Sequence, residues 1–317
     1  MTAILGGLAA AVLWSAATLC SSRSSRMLGS LVVLAWVMAI GTVVGLPLAI
    51  ATPLPATFDP FVLVLLLVAG LCYCLGLMLA YMALTIGKVS IVAPIVATEG
   101  AVAAVIAIAL GDTVGLAAGV ALAVIATGVV MSSAERSTTD VPVGDIELVA
   151  DALAAPLPEP ADLPEAPGPM THTPPMAPGD LRKSALLAIG AALIFGIGLV
   201  ASGRAAAVLP PVWVAFAARA IGVVIITLPI LLSGRLRATR AAVPLLVIAG
   251  VGEMLGSTAS AWGARESIPI VAVMGSQFAA ISAVAAFFLF GERLARIQVA
   301  GVVLIIVGVT VLAAQAA

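Results

Sequence analysis

Three ionisable side chains lie near the middle of otherwise apolar stretches of this sequence: Glu99, Arg219 and Glu253. Each stretch is long enough to cross the hydrocarbon core of a bilayer, so the three charges are predicted to lie near the midplane. A charge there costs roughly 2.5–3.5 kcal/mol on insertion scales, and it is kept where it faces a bundle interior or a water-filled cavity. This placement indicates a pathway for a solute.

The composition predicts a membrane protein. The chain is 63% hydrophobic and 9% charged, with a mean hydropathy of +1.26, whereas a soluble domain is about 25% charged. A water-soluble fold is therefore excluded. Nucleic-acid binding has no support, because the sequence has no basic patch with interleaved aromatic residues.

Ten apolar runs of roughly 17 to 24 residues predict ten transmembrane helices. The runs are 3–20, 31–50, 61–84, 90–110, 114–131, 185–201, 211–232, 242–262, 269–290 and 297–314. The predicted fold class is therefore an all-α polytopic membrane protein.

A segment of different character, residues 132–183, separates the fifth run from the sixth. Ten of the chain's twenty prolines lie between Val141 and Asp180, together with several acidic residues. Such a segment buries too little apolar surface to offset its ordering entropy, so we expect a disordered linker. A partner-binding segment is the alternative interpretation.

The two halves of the chain on either side of this linker resemble each other. Residues 10–15 match residues 191–196, and the glycines at 70, 76, 111 and 128 recur 180 residues later. Each half has five helices, an odd number, so the second half must enter the membrane in the opposite orientation. The sequence thus predicts two inverted five-helix repeats, residues 1–131 and 184–317, with a substrate site between them at the midplane.

The end of the second half resembles the EamA-type repeat of the drug/metabolite transporter superfamily. The resemblance rests on Gly291-Glu292-Arg293-Leu294, followed by Gln298, Gly301, Leu304-Ile305, Gly308 and Val309, and on Trp14 and Ala217-Ala218-Arg219 elsewhere. It implies a ten-helix secondary transporter of small metabolites, often an exporter.

The sequence also departs from that family pattern. Gly111-Asp112 stands where the pattern has Gly-Glu, and Met38 stands where the second half has Arg219. The family's proline midway along the fourth helix of the repeat is missing from both halves, and Glu99 lies near that place in the first.

The central charges are not duplicated between the halves. By the spacing of 180 residues, Glu99 corresponds to Ala279 and Glu253 corresponds to Tyr73. A polar device inherited through duplication is expected twice, so single charges suggest an asymmetric task such as binding one end of a substrate.

Five residues are predicted to form the substrate and coupling site. Glu253 is either a protonatable group in the cavity or a neutral, hydrogen-bonded acid in a helix interface, and Glu99 is expected to face the cavity. Arg219 cannot lose its proton, so it pairs with one of these acids or binds an anionic group of the substrate. Trp14 and Tyr73 are the aromatic residues expected to line the pocket.

The charges of this site favour a zwitterionic substrate. Arg219, Glu99 and Glu253 sum to -1 when both acids are ionised and to zero when one is protonated. Amino acids or similar metabolites fit such a site, and protons are the expected coupling ion.

No cofactor or metal is expected. Cys20, Cys72 and Cys74 lie in apolar runs, and Cys72 and Cys74 point away from each other on a helix. The only histidine, His172, lies in the linker.

Two orientations in the plasma (inner) membrane remain open. Eleven Lys and Arg residues fall in loops on one side and two on the other, which places both termini outside by the positive-inside rule. The family resemblance implies cytoplasmic termini instead.

Transport is the leading functional interpretation, with two alternatives. A lipid-carrier flippase on the same fold requires basic residues at a lateral opening. A membrane-embedded enzyme requires a metal motif, a Ser/Lys pair or paired Asp residues in the spans, and the sequence has no HExxH motif and no span with two Asp residues. Ten helices enclose a complete site, so a monomer suffices and a homodimer is the other possibility.

Overall fold

The computed structural model describes residues 1–57, 59–87, 89–133, 178–282 and 296–316, and all regular elements in these ranges are helical. The elements are α1 (Thr2–Leu28), α2 (Ser30–Ile50), α3 (Phe61–Ile86), α4 (Val89–Val96), α5 (Glu99–Ala109), α6 (Leu116–Ser133), α7 (Pro178–Ala206), α8 (Pro211–Gly222), a π-helical turn (Val223–Thr227), α9 (Leu228–Leu232), α10 (Val243–Ala264), α11 (Ile268–Gly275) and α12 (Arg296–Ala316). Residues 278–282 are also helical.

Some sequence predictions fall on residues outside these ranges. They include most of the linker, His172 and the Gly291-Glu292-Arg293-Leu294 motif. At the end of the predicted linker, α7 begins at Pro178, before the expected boundary at residue 184.

The helices identify a multi-pass membrane protein. Within the described residues, six are long and apolar enough to cross a membrane: α1, α2, α3, residues 182–206 of α7, the continuous helix 211–232, and α10. Four shorter apolar helices accompany them, at residues 99–109, 116–131, 268–282 and 299–311.

Local chemistry sets several helix boundaries. Gly29, at φ 85°, is the single residue between α1 and α2, and this left-handed conformation favours glycine. Helix α11 begins after Ser267, whose hydroxyl oxygen accepts a hydrogen bond from the Ile270 N–H, with Pro269 in the first turn.

Two of the ten predicted spans are broken near their middle. The fourth is not one helix but two, α4 and α5, separated by a turn at Ala97-Thr98. The ninth turns at Ser276-Gln277, between α11 and residues 278–282. The breaks lie 179 residues apart, at corresponding places in the two halves.

The most extensive helix contacts join one half of the chain to the other. Helix α1 packs on α10, α3 packs on α7, and α6 packs on α12. Most of the described core therefore lies between the halves.

Glycines allow this close approach, and they do so in matching pairs. A Cβ atom added at Gly256 would lie 2.7 Å from Trp14 Nε1, and one at Gly76 would lie 2.7 Å from Phe195 Cδ1. Trp14 and Phe195 occupy corresponding positions in the two halves, as the two glycines do. Small residues drive helix association in membranes because they let backbones approach, so these contacts hold the halves together.

Gly128 of α6 tests this packing. An added Cβ atom would lie 2.8 Å from the main-chain oxygen of Gly301, which belongs to a backbone and has no rotamer to change. Overpacking costs about 1–3 kcal/mol, so we expect Gly128→Ala to lower the melting temperature in detergent.

Gly119, on the same helix, is the matched control because nothing lies within 4 Å of its added Cβ atom. We expect Gly119→Ala to leave the melting temperature unchanged or slightly raised, since alanine favours a helix over glycine by about 1 kcal/mol. Equal effects of the two substitutions would contradict close packing of α6 on α12.

Candidate functional site

A large cavity lies between the two halves of the described structure. It is lined by residues of α1, α3, α4 and α5 from the first half, and by residues of α7, α8 and α10 and Phe278 from the second. The region open to the centres of water-sized molecules is about 90 Å³. Since about 10–15 Å³ suffices for one water, the cavity has room for several waters or a small organic molecule.

All five residues predicted from the sequence line this one cavity: Trp14, Tyr73, Glu99, Arg219 and Glu253. They come from five different helices, α1, α3, α5, α8 and α10. The structure therefore brings the predicted set together, and their roles in binding or coupling stay predictions.

Arg219 is the most deeply buried of the five, with a side-chain exposure of 0%. Its Nη2 donates hydrogen bonds to the Tyr73 hydroxyl at 2.7 Å, to Ser257 Oγ at 2.8 Å and to the main-chain oxygen of Glu253. The same nitrogen lies 3.8 Å from Glu253 Oε2. Of the partners left open by the sequence, the structure thus places Glu253 beside Arg219.

Tyr73 connects the two charges. Its hydroxyl donates to Glu253 Oε2 and accepts from Arg219, and the guanidinium carbon lies 3.9 Å from the centre of the Tyr73 ring. The ring also meets Phe195 edge-on, at 6.1 Å between centroids. Tyr73 and Glu253 are 180 residues apart, so corresponding positions of the two halves touch each other here.

The surrounding small residues make room for this network. A Cβ atom added at Gly41 of α2 would lie 3.1 Å from Arg219 Cδ, so glycine there lets the arginine stem pass. Gly222, at the corresponding place in the second half, faces Met38 in the same way. On α10, Gly252 lets α1 approach, since its added Cβ atom would lie 2.9 Å from the Leu13 oxygen.

Glu99 is the first residue of α5, directly after the break in the fourth span. Its exposure is 6%, and among the described residues its carboxylate has no hydrogen bond and no ion pair. The free N–H groups at the start of a helix favour a negative charge. Glu99 is thus a buried acid that faces the cavity without a protein partner in the described part of the chain.

Trp14 is held by two glycines. Its indole nitrogen lies against Gly256 and the far edge of its ring against Gly275. The indole N–H is buried and has no hydrogen-bond partner among the described residues.

Several cavity residues were not among the predicted site residues. Tyr81 accepts a hydrogen bond from Ser21 at 2.9 Å, and Ser257 binds Arg219. Phe195 was missed although the repeat aligns it with Trp14, and that alignment was the available signal. Ser257 was identifiable by its place one helical turn after Glu253.

Metal chemistry receives no support from the described residues, in which no three His, Cys, Asp or Glu side chains cluster. Cys20, Cys72 and Cys74 are free thiols.

Comparison with known proteins gives a family and a fold. Residues 1–134 and 182–314 match the model of the EamA-like transporter family. No curated protein matches the chain significantly. One solved structure, described only as the crystal structure of a protein, has a TM-score of 0.65 over 98% of this chain and 95% of that chain, at 17% identity. At that identity the similarity shows the fold alone.

The Arg219–Glu253 pair gives a test of stability. We expect Glu253→Gln to cost about 3–5 kcal/mol, because Arg219 cannot lose its proton and stays buried without a counter-charge. Arg219→Met should cost less, since Glu253 can then take up a proton and keep its hydrogen bond to Tyr73. Unfolding in detergent measures both.

The double variant Arg219→Met with Glu253→Gln separates pairing from general damage. If the two side chains stabilise each other, it is more stable than Glu253→Gln alone. Losses that simply add would contradict the pairing.

Proposed function

The chain belongs to the EamA-like transporter family, and on this premise we propose that it is a secondary active transporter of small metabolites that works by alternating access. The match confirms the family predicted from the sequence. The observation that carries the proposal is the polar network of Arg219, Tyr73 and Glu253 in a cavity between the halves of a membrane protein. Charges at such depth are kept for substrate or ion pathways.

We further propose that the halves are inverted repeats, which alternately open the cavity to the two sides of the membrane. Three features support this arrangement: the matching glycine contacts, the contact between Tyr73 and Glu253 at corresponding positions, and the breaks at 97–98 and 276–277. Interrupted helices at corresponding places in two halves mark the binding site in many transporter folds.

Polar contacts across the halves are proposed to close one end of the cavity. Arg204 Nη2 of α7 lies 2.6 Å from Asp112 Oδ1, and Glu266 accepts a hydrogen bond from the Ala3 N–H at 2.9 Å. Opening this end requires these contacts to separate. The contacts are partly exposed and individually weak, which suits a gate that opens reversibly.

Glu253 is the proposed coupling group. Protonation of its carboxylate removes the attraction to Arg219 and leaves the hydrogen bond with Tyr73 as the remaining link. Since Tyr73 is in the first half and Arg219 and Glu253 in the second, one proton changes the contacts that join the halves. Export, and the inner membrane as the location, are part of the proposal through the family.

A thermal-stability screen tests this function. Detergent-purified protein is heated with amino acids, nucleosides, sugars or lipid phosphates, because a ligand that binds the folded state raises its melting temperature. We expect one class of small metabolite to stabilise the protein and Glu253→Gln to lose at least part of that shift. Each shift is measured from the same protein's ligand-free value, which removes the lower stability of the variant from the comparison.

Asp59→Asn is the control variant, since Asp59 is exposed and lies outside the cavity. Transport of the stabilising compound is then measured in liposomes with and without a pH gradient. Stabilisation by lipid phosphates alone would favour the flippase, and flux that ignores the pH gradient in the wild type would contradict proton coupling.

A further inference from the structure

We infer that Glu99 binds the positively charged group of a small organic amine, and that such amines are the substrate class of the cavity. The inference rests on the proposed transport function. It narrows the zwitterionic substrate predicted from the sequence to a cation.

The first step is the contrast between the two acids. Glu253 has Tyr73 and Arg219 as partners, whereas Glu99, also about nineteen-twentieths buried, has neither a hydrogen bond nor an ion pair among the described residues. A buried carboxylate without a partner is costly, and a cationic ligand removes that cost. Glu99 is therefore the acid that a ligand meets unpaired.

The second step concerns Arg219, the group expected to bind a substrate carboxylate. Its positive charge already faces Glu253, and its side chain has no exposed surface. Its Nε lies against Gly41 of α2. An anionic group of a ligand would have to displace Glu253 or move α2 to reach the guanidinium. The cavity thus offers an available acid without an equally available base.

The third step is the wall of the cavity. Aromatic rings and small aliphatic side chains form most of it, including Trp14, Tyr81, Phe195 and Phe278. Ring faces attract an ammonium group, and the Arg219–Tyr73 contact shows such an attraction inside this cavity. These surfaces suit an ammonium group on an apolar body.

An inorganic divalent cation fits less well. Calcium takes six to eight oxygen ligands and magnesium demands an octahedron, while Glu99 and Glu253 are the carboxylates lining the described cavity and Glu253 is already engaged. The other charged or titratable side chains lining the cavity are Arg219, Tyr73 and Tyr81. Glu99 is left as the site for a single positive charge.

Matched sets of three compounds test the inference. Each set has one apolar body carrying an amine, an amino acid or a carboxylate: phenethylamine, phenylalanine and phenylpropanoate; tryptamine, tryptophan and indolepropanoate; isoamylamine, leucine and isocaproate. Binding to the full-length protein is measured by the shift in melting temperature and by titration calorimetry. We expect at least one amine to bind more tightly than its amino acid and its carboxylate.

Variants then assign the binding to Glu99. Glu99→Gln should weaken amine binding about 10- to 100-fold, the range for losing a charged hydrogen bond. Glu99→Asp, which keeps the charge, should retain the preference for the amine, and Asp59→Asn should bind like the wild type. The ligand-free melting temperature of each variant shows that it is folded.

The inference is overturned if none of the amines binds, if the amino acid or the carboxylate binds better in every set, or if Glu99→Gln binds amines as the wild type does. Flux in liposomes separates this result from the proposed function. Transport of an amino acid without any response to amines keeps the transporter and removes the amine site. Amine binding that depends on Glu99, without flux of any compound, keeps the site and counts against transport.

Discussion

The burial of Arg219 is the constraint on which the centre of this protein depends. A guanidinium keeps its charge at any physiological pH, so a fully buried one needs an anion and hydrogen-bond acceptors beside it. Glu253 supplies the charge, and Tyr73 and Ser257 supply oxygen atoms. Because these groups come from α3, α8 and α10, satisfying one side chain fixes three helices from both halves relative to each other.

The same requirement explains why the helices approach so closely. Lipid tails are as apolar as leucine, so burying more leucine gives little force between helices in a membrane, and packing and polar contacts must provide it. Glycine at 41 admits the arginine stem, and glycine at 256 admits Trp14. Each of these glycines has a counterpart in the other half that admits a different side chain, Met38 or Phe195. One packing scheme therefore carries a charge on one side and a neutral residue on the other.

Much of this was predictable from the sequence, because length and hydropathy determine spans and a fixed offset reveals repeated segments. The five predicted site residues share one cavity for the same reason: charges at mid-span have few other places to lie. The breaks at 97–98 and 276–277 were not predicted as breaks, since apolar residues continue through both. The choice between an ion pair and a free arginine was also out of reach, because it depends on which helices are neighbours.

The two buried acids illustrate how position divides chemical labour within one cavity. Glu253 lies on a continuous helix between an arginine and a tyrosine, so any change in its charge is felt by contacts that cross between the halves. Glu99 lies at the start of a helix that follows a break, where free N–H groups tolerate its charge and no described side chain neutralises it. An acid whose charge is already balanced is suited to linking the two halves, and an acid whose charge is unbalanced is suited to meeting a ligand. Duplication placed neither acid twice, so this division arose after the repeat, in each half separately.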